Sequence, residues 1–263
     1  AYYYGFRVDG TGDRSPTGRT RTLPPSGVER VRLAFASCAN YPAGFFNGYA
    51  HLATRDDLDA VLHLGDYIYE YASGRNGKVR THQGPEIESL DQYRIRYAQY
   101  KGDKDLQAIH AACPWFVTWD DHEFDNNCAN DISEQEGIDT AKFLIRRANA
   151  YQAYYEMMPL RTSSLPVGPN MTLYRKGSFG TLAEFFILDT RQYRSDQPNG
   201  DRHSPLNTAA TNPRQTLLGK AQRKWLFDSL SGSKGTWNIL AQQVMMALVD
   251  RSKVNSPAAY SMD

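Results

Sequence analysis

The sequence predicts an α/β domain, and three observations predict it. Short apolar runs read as buried strands, segments of helical spacing lie between them, and polar clusters follow three of the runs where a strand should yield to a loop. At 263 residues the chain has room for one large α/β domain, or for a core of roughly 200 residues with an appendage. Hydrophobic residues make up 41% and charged residues 22%, ordinary globular proportions that exclude the disordered and fibrous classes. Lys and Arg number 30 against 29 Asp and Glu, a net charge of +1, so no nucleic-acid partner is indicated and any recognition of phosphate must be local.

The opening residues, AYYYGFRVDG, alternate as a strand does, and the Gly-, Pro-, Ser- and Thr-rich stretch from Gly10 to Gly27 reads as loop. One strand cannot make a domain, so residues 1–23 are expected to be the tail of a preceding β-rich domain, with the main domain over 24–263. Val31 to Ser37 reads as a buried strand that stops at Cys38. Asn47 to Arg55 has helical spacing, and Asp59 to Leu64 is again a buried strand, ending at Gly65-Asp66. Strand, helix and strand in succession imply parallel neighbours in one sheet. Leu90 to Tyr100 and Asp105 to Ala112 read as helices, and Cys113 to Thr118 as a strand running into WDDHEFDNN. Ile138 to Met158 is a long helix stopped by Pro159. Leu173 to Lys176 and Thr181 to Asp189 read as paired strands, Leu217 to Leu230 as an amphipathic helix, and Thr236 to Val244 as a further strand. The polar run 195–216 reads equally as an exposed loop that shapes a substrate entrance or as a disordered insertion.

No run approaches the roughly 20 apolar residues of a membrane span, and the first residues lack a basic flank followed by an apolar stretch. The chain therefore reads as soluble, with any export signal already absent. Three cysteines, at 38, 113 and 128, leave one over if a disulfide forms. Cys113 and Cys128 bracket a strand and loop; a bridge between them would leave Cys38 as the odd thiol.

Ser37-Cys38, HLGDYIYE (His63 to Glu70) and WDDHEFDNN (Trp119 to Asn127) each follow a buried strand. Sites in open α/β sheets gather beyond the carboxyl ends of the strands, so these clusters should converge. Asp on Gly at one strand end, with Asp-His-Glu and Asn at another, supplies hard oxygen and imidazole ligands for two or more cations. Such ions hold a phosphoryl group and lower the pKa of water. Singly, each residue has a plainer reading. A Gly-Asp pair occurs in many turns, an Asp-His pair caps or decorates surfaces, His63 suits a core histidine or the support of a ligand, and Cys38 suits an inert thiol. The conjunction at strand ends carries the functional reading.

FASC (Phe35 to Cys38), GFFNGYAHLA, HLGDYIYEY (His63 to Tyr71), VRTH (Val79 to His82), WFVTWDDHEFDNN, RRANAYQAYYEMMPLR (Arg146 to Arg161), LDTRQYR (Leu188 to Arg194) and LGKAQRKWL occur in the order and spacing of the blocks of a known family. On these blocks the chain resembles the PhoD-like alkaline phosphatase/phosphodiesterase family of metallophosphoesterases over nearly its whole length. The resemblance implies a β-sheet core flanked by helices, a four-layer α/β/β/α sandwich when complete, preceded by the tail of an N-terminal β-sandwich domain. It also implies secreted, extracellular or periplasmic hydrolysis of phosphate esters.

By the same resemblance the site holds one Fe3+ and two Ca2+. Cys38 would give a thiolate and Tyr69 a tyrosinate to iron, and Asp66 would bridge metals. Asp121 and Asn126 are the calcium-ligand candidates, with Asp120 as an alternative, while His122 and Glu123 are either ligands or their supports. Arg146 would bind phosphate, its guanidinium matching two phosphoryl oxygens, with His122 as a second catalytic candidate. The DxH signature of other two-metal phosphoesterases is replaced here by Ser-Cys. Family members continue to a further histidine-bearing strand end, so the domain over 24–263 is expected to lack its C-terminal portion. Either the chain is a fragment, or a second polypeptide carries the rest, as after a cut beyond Ala258. The alternatives are a phospholipid-cleaving phosphodiesterase of the phospholipase D type and a non-catalytic calcium-binding module.

Overall fold

The computed structural model describes residues 1–202, 204–205, 207–246 and 258–259. At the N-terminus, β1 (Tyr2–Tyr4) pairs antiparallel with β2 (Gly18–Thr20) in a two-stranded ribbon. The return strand lies inside the stretch expected to be loop. Its residues, Gly-Arg-Thr, carry no alternation that could announce it, and the pairing with Tyr2–Tyr4 makes the strand. The ribbon leans on the rest of the chain through β2, which lies against the third helix, and Arg21 beyond it pairs with Asp59.

Two three-stranded sheets form the centre. In the first, β3 (Leu33–Ala36), β4 (Ala60–Leu64) and β5 (Trp115–Thr118) run parallel in that order, as strand-helix-strand succession requires. In the second, β6 (Arg175–Phe179) and β7 (Ala183–Ile187) form an antiparallel hairpin, and β9 (Trp237–Ala241) joins β7 in parallel. Between them in sequence, β8 (Ser204–Pro205) pairs with β10 (Ala258–Ala259). The loop expected after Ala258 begins instead with Ala259 of β10, and the rest of it, 260–263, lies outside the described residues.

Strand alternation decides what each face touches. On β4, Val61 turns into the large aromatic core, while Ala60 and Leu62 turn toward the second sheet and pack with Phe179, Phe185, Ile187 and Ala241. On β7, Phe186 faces the other way, into a cluster with Leu226 and Trp225 of α5 (Gly219–Ser231). The expected burial of the first strand does not hold. Phe35 on β3 is 77% exposed: β3 is an edge strand among the described residues, hydrogen-bonded to β4 alone.

The outer face of the first sheet is covered by α1 (Asn47–Ala53), α2 (Leu90–Lys101), α3 (Lys104–Ala112) and α4 (Thr140–Met157). Their starts are written locally. Ser89 and Gln92 close a capping box on α2, and the Asp103 and Asp139 carboxylates cap α3 and α4. From α4, Phe143, Tyr151 and Tyr154 are buried, each contributing about 1.5–3 kcal/mol of apolar burial. No described helix is long and apolar enough to cross a membrane.

His63 belongs to this core. Its Nε2 lies 3.1 Å from the Tyr49 hydroxyl, and its ring stacks on Trp115. His110 stacks on the other side of the tryptophan neighbourhood, 3.9 Å from Trp115, with Tyr67 on its Nε2 at 2.8 Å. Burial lowers His63 to about 3 and His110 to about 2. Both are therefore neutral when folded and protonate near 6.5 when unfolded. Their contribution to stability is complete above that pH and falls as pH drops below it, by up to about 1.4 kcal/mol per pH unit for each group. Denaturant midpoints should decline from pH 6.5 to 5, and His110→Phe should make the decline shallower.

Candidate metal centre

Three parallel strands deliver three loops to one place by the same offset. Cys38, Asp66 and Asp120 each sit two residues past the end of β3, β4 and β5. Cys38 and Asp66 both have φ of 56°, a left-handed conformation uncommon outside glycine. The loops are knitted by backbone bonds from Cys38 N to Gly65 O at 3.2 Å and from Ala39 N to Asp66 O at 2.8 Å. Gly65, at φ +106°, admits no side chain: a Cβ there would stand 2.4 Å from Asp120 N. The bare Cα of Gly65 is what permits the second and third loops to approach this closely.

The convergence is tight. Asp66, Asp121 and His122 each offer a ligand atom, and these atoms lie within 4.8 Å of one another. The Tyr69 hydroxyl donates to Asp66 Oδ2 at 3.1 Å, and its ring stands 4.1 Å from that of His122. The Cys38 sulfur lies beside Asp66 and Tyr69. Asp66 Oδ1 is buried without a hydrogen-bond partner, as a ligand atom for a cation would be.

The electrostatics fit the same reading. Burial, then Asp121 and Asp120, push Asp66 up to about 7. Although Cys38 is an exposed residue, the surrounding protein and then Asp66 push its thiol up to about 12. Burial and the same carboxylate hold Tyr69 as a phenol. Burial opposes a charge on His122, yet the Glu70 hydrogen bond, Asp121 and Asp66 raise it to about 10. Each of these groups is held in the protonation state that a nearby cation would reverse. Carboxylate, imidazole, thiol and phenol together suit one borderline or hard cation, with more than one accommodated by the carboxylates.

The remaining predicted residues are placed otherwise. Asp120 Oδ1 takes Arg191 Nε at 2.5 Å. Asn126 accepts from Tyr71 at 2.9 Å and donates to Glu134. Arg146 is engaged by Asp125 at 2.7 Å, Tyr93 at 3.1 Å and Glu86 at 3.2 Å. Glu123 takes no part as a ligand atom in the convergent set; it accepts three backbone amides. All three cysteines are free, and no Cys113–Cys128 bridge forms.

Three residues of the site were not singled out in the sequence. Glu70, fully buried, receives His122 Nδ1 at 2.8 Å and Asn126 N at 3.2 Å, which leaves His122 Nε2 for the centre. Arg191, past the end of β7, touches Asp120 and stands 3.6 Å from Asp121. Burial works against the charge of Asp121, but Arg191, His122 and the Asn127 amide hold its carboxyl below the usual range. Gln243, past β9, donates to Thr118 Oγ1 and to the carbonyls of Trp119 and Leu188, tying both sheets at their carboxyl ends. A polar residue after an apolar strand was the available signal for each. Within the run 195–216, the short turn Pro198–Asp201 contacts the loop after β5, where Asn127 Nδ2 donates to Asp201 at 2.7 Å.

Comparison with known proteins agrees with the geometry. The model of PhoD-like phosphatases matches residues 33–263. Alkaline phosphatase D of Bacillus subtilis (strain 168) is 52% identical over 268 aligned residues, which cover all of this chain and 45% of that protein. A solved structure of PhoD superposes with a TM-score of 0.93 at 50% identity, covering 98% of this chain and 50% of that one. The chain thus spans about half the length of the relatives it matches.

Proposed function

The chain belongs to the PhoD-like phosphatase family, and from that membership we propose that it forms the metal-binding part of a phosphoric ester hydrolase. The observation that carries this reading is the meeting of Asp66, Asp121 and His122 at the ends of parallel strands. Bound cations would polarise the phosphoryl oxygens and favour ionisation of water there. Asp66, Asp121 and His122 would hold them, with Cys38 and Tyr69 suited to Fe3+ and the carboxylates of Asp66, Asp120, Asp121, and the amide oxygen of Asn126, suited to Ca2+. Arg191 keeps Asp121 ionised and orients both Asp120 and Asp121. With Nδ1 engaged by Glu70, His122 presents Nε2 alone to the centre. That nitrogen would serve either as a ligand atom or, where the cations are held without it, as the group that holds or releases a proton at the reacting group. Of the two guanidiniums, Arg191 already touches the carboxylates, whereas Arg146 would meet a phosphoryl group by leaving Glu86, its most exposed partner.

The same proposal covers the finer architecture. Two sheets with helices on their outer sides would be the centre of a four-layer α/β/β/α sandwich, and the Tyr2–Thr20 ribbon the tail of a β-sandwich domain. Strands added at β3 and β9 would come from more of the chain or from a companion polypeptide, which a mass measurement on the purified protein distinguishes. A secreted or periplasmic location rests on the family resemblance.

The test is turnover of a phosphomonoester, a simple phosphodiester and a phospholipid, before and after chelation. Hydrolysis of at least one should vanish with the metals and return when Fe3+ and Ca2+ are restored. Full activity in protein shown by elemental analysis to be metal-free would overturn the reading. Calcium-dependent stabilisation with no turnover would favour the non-catalytic module, and preferential cleavage of the phospholipid would favour the phospholipase reading.

A further inference from the structure

We propose that Glu123 is the positioning residue of this centre: a buried carboxyl group that clamps the loops after β4 and β5 at the spacing cation binding needs. The inference rests on the metal-centre reading above. Both carboxylate oxygens are used by backbone amides from the two loops. Oε2 accepts from Asp66 N at 3.0 Å and from Asp120 N at 2.8 Å, and Oε1 accepts from Tyr67 N at 2.6 Å.

One side chain therefore bonds residues 57 and 56 positions away in sequence and its own loop three positions away. Glu123 is 1% exposed, so water does not replace these acceptors. Burial and the nearby Asp66 charge push its proton affinity up, and the three amides oppose that. A carboxylate with both oxygens filled by amides is not a ligand; it acts on the ligands through their backbone. Drawing the amides of Asp66 and Asp120 to one point turns the following side chains toward the common cleft, where Asp66 meets Asp121 and His122. The bare Cα of Gly65 against Asp120 N permits the approach, and Glu123 holds it. Such supports commonly change metal affinity by roughly 10–100-fold.

The experiment uses the purified chain, Glu123→Gln and Glu123→Asp, with two readouts. Glu123→Gln keeps one acceptor oxygen and replaces the other by a donor facing amides; Glu123→Asp keeps both acceptor oxygens but withdraws them by one methylene. In Glu123→Gln, hydrogen exchange at the amides of 66, 67 and 120 should accelerate at least about tenfold while amides in β4 and β5 keep their protection. Titration with Ca2+ alone should show affinity weakened roughly 10–100-fold, with Glu123→Asp intermediate. Unchanged Ca2+ affinity, or equal loss of protection throughout the sheet, overturns the proposal. If neither variant folds, exchange in the unsubstituted chain still decides: amides 66, 67 and 120 exchanging as fast as exposed loop amides would overturn it. Absence of Ca2+ binding by the unsubstituted chain would instead defeat the metal-centre reading, leaving the exchange result to judge the clamp.

Discussion

Asp66→Asn is expected to abolish the cation binding and phosphoester hydrolysis proposed for this centre while leaving the fold intact. Asn adopts the left-handed conformation at φ 56° at least as readily as Asp, so the loop keeps its path and its amide bond to Glu123. What disappears is the charge that faces both Asp121 and His122. One oxygen of Asp66 is buried without a partner, and its carboxyl is raised to about 7 by burial and by neighbouring carboxylates. A folded pKa above the unfolded one means that stability falls as pH rises from about 4 to 7, and that the penalty is complete above 7. The metal-free variant should therefore melt above the metal-free parent at pH 8, while the parent alone gains stability from Ca2+ or Fe3+. Thermal denaturation with and without cations, beside turnover, checks both halves. Retained hydrolysis would remove Asp66 from the centre.

Arg191→Met has the second largest effect, in the opposite direction. The guanidinium is 1% exposed and uses Nε on Asp120, Nη2 on Asp121 and Nη1 on the Cys128 carbonyl. Its removal leaves two buried carboxylates facing each other without that charge, a loss of about 3–5 kcal/mol for a broken buried pair. Cations bound nearby should restore part of the loss, so the variant's melting temperature should rise more with Ca2+ than the parent's does. Arg191→Lys should recover little, because one ammonium cannot reproduce three directed contacts. A melting temperature within a degree of the parent in metal-free buffer would refute the role.

Much of this was legible in the residues. β4 is an apolar run broken by His63 alone and followed by Gly-Asp, close to the near-continuous hydrophobic pattern of a buried parallel strand. The third strand feeds WDDHEFDNN in the same way, so the meeting of Asp66 with Asp121 and His122 follows from strand order alone. The β1–β2 ribbon was half hidden, since Gly18–Thr20 becomes a strand only through its partner. Arg191 was hidden by distance: it lies 71 residues from Asp120 in sequence and arrives from the other sheet. Arg146 shows the converse. Its block matched the family, yet whether its donors face solvent or Asp125, Tyr93 and Glu86 is a matter of packing around α4.

The sequence by itself determined the parallel sheet, the strand ends that carry the site, and the kinds of ligand there, because hydrophobic period and residue chemistry are local properties. Only the tertiary structure decided which charges compensate which. Glu123 became a clamp rather than a ligand, Glu70 took the histidine's Nδ1, and Arg191 neutralised the aspartates, because hydrogen-bond partners between distant segments exist only once the loops are brought within about 3 Å of each other.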